Sequence, residues 1–289
     1  MLFCLLTGYS AKIICWQNLL YLPIYILGRI TRTTAQMKRS IAVKQAVSPS
    51  HEQAAGRLRV NMSNALTSAA QRLSLAEKRV MMFAVGKLDS FKRNGGTADG
   101  SVKLIAHEYA ELFGVDANTA YEQLQACAES IITKQVWWYE AAKRGPKKVQ
   151  INWLSKAEYY QGEGTVSLWF TSHIAPHLLE LKSQFTTYQL AQASALRSIY
   201  SWRLLELLSQ YAGTGWRQIS IEEFCHAMEA TEKQRGDFAA IRRKIIEPAV
   251  KELTEKDGWL IEWQPIKEGR RVAAIRFEFV RDPQGRLDI

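Results

Sequence analysis

The sequence predicts an α+β chain built of two tandem winged-helix domains of similar topology. Three observations predict it. A short helix, a tight turn, a second helix and a hairpin follow one another twice in the same order. Both hairpin tips are cationic, Lys143-Arg144-Gly145-Pro146-Lys147 in the first half and Lys267-Glu268-Gly269-Arg270 in the second. The 289 residues carry a formal net charge of +10, which favours a polyanion as partner because each phosphate contact releases counterions. On charge alone, a merely basic globular protein is an equal reading, since charge speaks to association and not to fold. The length allows two modest domains, and 47% hydrophobic residues suit packed cores. The expected division is an extension over 1–60, a first winged helix over 61–180 and a second over 181–289.

The extension is the anomalous part. Met1–Leu27 is apolar but broken by Lys12, Gln17 and Asn18, and Arg29, Arg32, Lys38 and Arg39 follow it. Three readings compete. A membrane helix with positive residues inside is one. A signal peptide is another, disfavoured because no basic region precedes the apolar run and no small-residue cleavage site follows. A start placed too early, with initiation at Met37 or Met62, is the third; it fits best, because nothing else in the chain looks secreted or membrane-bound. Residues 29–60 are polar, basic and Ala/Ser-rich and read as a lead-in. Cys4, Cys15, Cys127 and Cys225 form no C-x-x-C pair, which argues against zinc and fits a reducing cytoplasm.

The elements follow in order. Ser74-Leu75-Ala76-Glu77 is a capping box opening a helix on which Ala76, Val80, Phe83, Ala84, Leu88 and Phe91 recur at helical spacing, with Asn94-Gly95-Gly96 as its stop. Ser101–Ala106 is a strand. His107–Phe113 is a short helix closed by Gly114, and Asp116 caps a second with the stripe Ala117, Ala120, Tyr121, Leu124, Cys127, Ala128 and Ile131. Gln135–Ala142 and Lys148–Leu154 are the strands of a first wing, and Gln161–Gln184 would join the halves. Ser194–Tyr211 reads as one long helix broken by Gly213-Thr214-Gly215. Ile221–Met228 is a short helix, Glu232–Gly236 a turn, and Asp237 caps a helix from Phe238 to about Glu255. Trp259–Ile266 and Arg271–Val280 form the second wing. Pro248 should kink the helix that contains it, because it removes a backbone donor.

Signatures of catalysis are absent. The sequence holds no P-loop and no H-x-H pair with a catalytic tyrosine. His173 and His177 stand four apart without further ligands, and Tyr159-Tyr160 read as sheet residues. No cofactor or metal is expected. Arg242-Arg243-Lys244, with Arg235 just before, stands out instead. It lies at the front of the second helix of a helix-turn-helix, which presents such residues to the major groove, where Arg can pair bidentately with guanine. Ile241, Ile245, Ala249 and Leu253 would face the core, and the bland reading is a solvated basic face balanced by Glu247 and Glu252. Lys267, Arg270 and Arg271 suit phosphate or minor-groove contact, as do Lys143, Arg144, Lys147 and Lys148 in the first half. Asn118 and Thr119, beside Tyr121 and Glu122, open the first recognition helix. That helix is less cationic, so its domain is expected to position the protein or to form a dimer surface.

Several stretches resemble plasmid replication initiators of the RepB/RepE/pi type. They are Asn64-Ala65-Leu66-Thr67, Arg72-Leu73-Ser74 with Lys78-Arg79, Phe185–Leu190, Tyr200–Leu208, Ile241–Leu253 and Lys267–Arg271, in the family's order, and the match spans about 61 to 281. The family pattern shares the oddity at Pro248. The resemblance implies a non-enzymatic initiator that binds double-stranded DNA, as a monomer on origin direct repeats and as a dimer on an operator that represses its own gene. It implies a homodimer in equilibrium with monomer, and a host initiator, replicative helicase and chaperones as further partners. It carries base readout to Arg235, Arg243 and Lys244, with Arg242 alongside. Two other functions compete: a two-domain transcriptional repressor without an initiation role, and a nicking enzyme, for which neither nucleophile nor metal ligands stand out.

Overall fold

A computed structural model describes residues 58–93, 101–179, 181 and 184–281. The readings of Met1–Leu27, of Met37 and of the Asn94-Gly95-Gly96 stop lie outside the described residues. The first domain opens with strand β1 (Arg59–Ser63) and helices α1 (Asn64–Ser68) and α2 (Leu75–Arg93). The capping box forms as expected: Ser74 N–H donates to Glu77 Oε2 at 2.7 Å and Glu77 N–H to Ser74 Oγ at 3.4 Å. Strand β2 (Ser101–Ile105) leads to α3 (Ala106–Phe113), which ends on Gly114 at φ 63°. Only a residue without Cβ takes that left-handed stop without strain. Asp116 Oδ1 then accepts the Asn118 and Thr119 amides and starts α4 (Ala117–Ile131). Ala120, Leu124, Cys127, Ala128 and Ile131 of the predicted stripe are buried.

Two hairpins, not one, follow α4. The cationic one joins β3 (Gln135–Glu140) to β4 (Lys147–Asn152) and stands as a two-stranded sheet of its own. Past the fully buried Trp153, the chain enters a second hairpin of β5 (Leu154–Tyr160) and β6 (Thr165–Phe170), turning through Gln161–Glu163. That hairpin pairs with β2 in the order β2-β6-β5 and supplies the true wing. Two expectations are therefore corrected. Lys143, Arg144, Lys147 and Lys148 sit on an inserted hairpin rather than on the winged-helix sheet. Residues from Gln161 to Phe170 belong to that sheet rather than to a connector. Alternation shows that a segment is a strand but not which neighbour it pairs with.

Helix α5 (Pro176–Leu179) and strand β7 (Phe185–Gln189) lead into the second half, and β7 pairs antiparallel with β1 from Arg59↔Gln189 to Ser63↔Phe185. The predicted helix over 194–211 is shorter, α7 (Ile199–Ser209), and a separate short helix, α6 (Leu190–Ser194), ends where the prediction began. They separate because Ser198 Oγ accepts the Tyr200 amide and starts a new helix, with Leu196 buried in the break. Strand β8 (Trp216–Ser220), not anticipated from the sequence, precedes α8 (Ile221–Ala227). The expected turn at 232–236 is a single helical turn, α9 (Glu232–Arg235).

Asp237 Oδ1 accepts the Ala239 amide and starts a continuous rod of α10 (Phe238–Ile241), a π turn (Arg242–Ile246) and α11 (Glu247–Asp257). The π turn answers the Pro248 problem. The Glu247 amide bonds five residues back to Arg242 O, so the widened turn absorbs the donor that proline lacks. Strands β9 (Trp259–Glu268) and β10 (Arg271–Arg281) complete a sheet ordered β8-β10-β9. In both sheets the last strand lies between the first and the middle one. The duplication read from element order thus extends to strand pairing.

Candidate nucleic-acid interface

The site is set by which face of the α10–π–α11 rod is buried. Ile241, Ile245, Ala249 and Leu253 are all fully buried, so Arg242, Arg243 and Lys244 are left on the solvent side. The three differ in what holds them. Arg242 Nε lies 3.4 Å from Glu247 Oε1, with both side chains half exposed, a contact that solvent leaves weak. Arg243 Nε donates back to Ala239 O at 3.2 Å, which ties one guanidinium nitrogen to its own helix while the residue stays exposed. Glu252 does not balance the cluster, since its carboxylate accepts the Arg197 amide at 2.8 Å.

Two features aim the rod. The rings of Phe238 and Trp263 meet at 6.4 Å, so the base of the wing rests on the front of the recognition helix. Arg235 is turned onto its own chain: Nε donates to Ala230 O at 2.9 Å and a terminal nitrogen to Cys225 O at 3.3 Å. It therefore ties α8 to α9, and base readout through it would have to compete with these bonds. A capping box between Thr231 and Gln234 holds the same turn and leaves Lys233 exposed beside it. The sequence reading missed Lys233; its only signal was a cation in the turn before the recognition helix.

The second wing turns at Gly269, φ 63°, and exposes Lys267, Arg270 and Arg271. In the first half, Lys143, Arg144, Lys147 and Lys148 are exposed on the inserted hairpin. Lys147 reaches Glu140 at 3.0 Å, and this bond together with the Trp138 indole holds the Glu140 carboxyl below the ordinary range. Lys148 Nζ sits 4.6 Å above the Trp137 ring. The true first wing is not basic at its tip, where Lys103 and Glu163 pair at 2.9 Å. Asn118 and Thr119 are exposed at the front of α4, beside exposed Glu122 and half-buried Tyr121.

The inserted hairpin is gripped from both faces by histidines. His177 packs on Trp138 at 5.1 Å and bonds Ser63 through Nδ1 at 2.8 Å. His226 of the second domain packs edge-on against Trp137 at 4.4 Å. Burial lowers the pKa of both rings; Arg235 and Arg203 reinforce the effect at His226, and Glu140 opposes it at His177.

Two winged helices, the second pairing an arginine-rich recognition helix with a cationic wing, define a class of two-domain nucleic-acid-binding proteins. Within that class the chain belongs to the initiator replication protein family. Residues 59–209 match its model for Initiator Replication protein, WH1, and residues 220–279 that for Initiator Rep protein, WH2. The PI protein of Escherichia coli is 27% identical over 259 residues, covering 78% of this chain and 83% of its own. An uncharacterized 27.6 kDa protein of Escherichia coli is 25% identical over 231 residues, covering 76% and 94%. The crystal structure of Pi initiator protein in complex with iteron DNA shares the fold with a TM-score of 0.65 at 24% identity, over 79% of this chain and 99% of that one.

Proposed function

We propose that this protein recognises repeated duplex DNA sites at a plasmid-type origin and starts replication there without catalysing a reaction. The observation that carries this reading is the exposed run Arg242–Lys244, at the front of a helix whose other face is fully buried, in a chain of the initiator family. Arg243 and Lys244 read base edges in the major groove, and Arg242 joins them by giving up its exposed pair with Glu247. Arg235 supports them from behind by fixing the turn, with Lys233 nearby for phosphate. Lys267, Arg270 and Arg271 hold phosphates through the second wing. Lys143, Arg144, Lys147 and Lys148 do so from the inserted hairpin, and Asn118 and Thr119 from the front of α4. These contacts supply the energy that bends and unstacks the duplex. The second domain is the sequence reader, and the first positions it and forms the dimer surface.

The proposal extends to repression of its own gene as a dimer, to a host initiator, helicase and chaperones as partners, and to action in the cytoplasm. Among the described residues no helix is long and apolar enough to cross a membrane. Footprinting on the DNA flanking the gene tests the central reading. Protected tandem repeats of about two helical turns each, beside an AT-rich tract, are expected. A single protected operator with no repeats would make it a repressor alone. Supercoiled DNA incubated with the pure protein and magnesium should stay unnicked.

A further inference from the structure

The segment between α1 and α2 is bonded from both domains. Ala70 exchanges backbone bonds of 3.0 and 3.1 Å with Trp137 of the inserted hairpin, and Trp153 Nε1 donates to Gln71 O at 3.1 Å. Arg203 donates to Ala69 O at 2.7 Å and across to Ala227 O of the second domain at 3.0 Å, and from that domain Glu229 Oε1 accepts the amides of Gln71 at 2.9 Å and Arg72 at 2.8 Å. Behind this lies a fully buried ionic group: Lys78 reaches Glu206 at 2.6 Å, Arg203 reaches the same carboxylate at 2.6 Å, and Tyr188 donates to it at 2.9 Å. Burial draws the Lys78 ammonium down to about 8 while Glu206 pulls it up.

Strain collects in the same place. Among the described residues, three that are not glycine have positive φ: Arg72 at 53°, Gln184 at 54° and Glu229 at 52°. Two of them face each other across one contact. The third, Gln184, accepts the Asn64 amide at 2.9 Å where the ribbon of β1 and β7 begins. Such conformations persist only where surrounding structure over-determines them. An apolar seam can slide by small amounts. A seam of buried charges cannot, because any displacement strands a charge without its partner.

We infer that Glu229 is a positioning residue: its grip on the Gln71 and Arg72 amides, backed by the Lys78–Glu206–Arg203 group, locks the two winged helices into one relative orientation, and that orientation sets the length of DNA read as one site. This rests on the DNA-reading role proposed above. The test uses the full chain with Cys4 and Cys15 replaced by serine and nitroxide labels at Ala126→Cys on α4 and Lys256→Cys on α11. Both label positions are exposed, while Cys127 and Cys225 are buried. The parent should give one narrow inter-label distance. Glu229→Ala should broaden it, and Glu229→Gln, which keeps the acceptor, should restore it. Glu229→Gly accepts the backbone angle without a steric penalty and carries the same test if the alanine variant does not fold.

On the footprinted repeat, Glu229→Ala should bind about tenfold more weakly, equivalent to about 1.4 kcal/mol, with affinity unchanged for a duplex cut down to the second-domain half. A narrow distance in Glu229→Ala, or an equal loss on whole and half repeats, would overturn the inference. If the parent protein cannot tell the repeat from a shuffled duplex, the DNA-reading role fails, and the distance distributions still decide whether Glu229 locks the joint.

Discussion

Glu77 offers the sharpest energetic test, because one carboxylate fastens the first recognition helix to the helix behind it. Its Oε1 accepts the Ser130 hydroxyl at 2.6 Å, and its Oε2 accepts Lys134 at 2.6 Å and the Ser74 amide at 2.7 Å. Burial alone would raise its pKa, but the bonds from Lys134, Ser130 and Ser74 prevail and lower it from 4.5 to about 2. At about 1.36 kcal/mol per tenfold, that preference amounts to roughly 3.4 kcal/mol at neutral pH. Lys134 is 29% exposed, so solvent screens part of its share, and about 2–3 kcal/mol is the expected net. Glu77→Gln keeps the shape and removes the charge. Urea denaturation followed by tryptophan fluorescence should show that loss at pH 7. The folded pKa lies below the unfolded one, so the stabilisation is complete above pH 4.5 and drains away as pH falls through about 2. By about pH 3 the difference between parent and variant should be less than half its neutral value. A loss under about 1 kcal/mol at pH 7, or one that does not change with pH, would refute the reasoning.

Three further outcomes are expected. Arg243→Ala should weaken specific binding by about 1–3 kcal/mol and relax discrimination at one base position; an equal loss on every sequence in competition assays would make it a phosphate contact instead. Lys267→Ala should weaken all sequences alike and reduce the salt slope by about one, and an unchanged slope in a salt titration would remove that lysine from the interface. His177 and His226 are held below the ordinary 6.5, so the unfolded chain takes up their protons first and stability should decline as pH falls below 6.5. His226→Gln should flatten part of that decline in urea titrations at successive pH values, and a parent–variant difference constant across pH would count against it.

The candidate interface was legible in the sequence to the extent that one helix face could be read. Ile241, Ile245, Ala249 and Leu253 mark the buried side at helical spacing, and the intervening cations must then face out. Arg235 shows the limit. Its position beside the recognition helix was plain, but the carbonyls that hold its guanidinium, Cys225 in α8 and Ala230 in the turn after it, meet there only through a chain path no pattern specifies. The cationic tip of the first half was also visible, whereas its separation from the winged-helix sheet was not, because both hairpins alternate and only pairing with β2 tells them apart. Pro248 announced an irregularity, and its form, a π turn over the five residues before Glu247, was not specified by the pattern.

What the amino-acid order determined unaided was everything governed within about four residues: the caps at Ser74, Asp116 and Asp237, the stop at Gly114, and the apolar faces of α4 and the recognition rod. What tertiary structure alone decided was which strands share a sheet and where charge is buried. Lys78, Arg203 and Glu206 look like ordinary surface residues on their own helices and lose their solvent only when α2 and α7, more than a hundred residues apart in the chain, pack together. The physical reason is range. Capping and periodicity are satisfied inside one turn, whereas Glu229 finds its partners 157 and 158 residues away, and contacts at that separation exist only after the chain has folded.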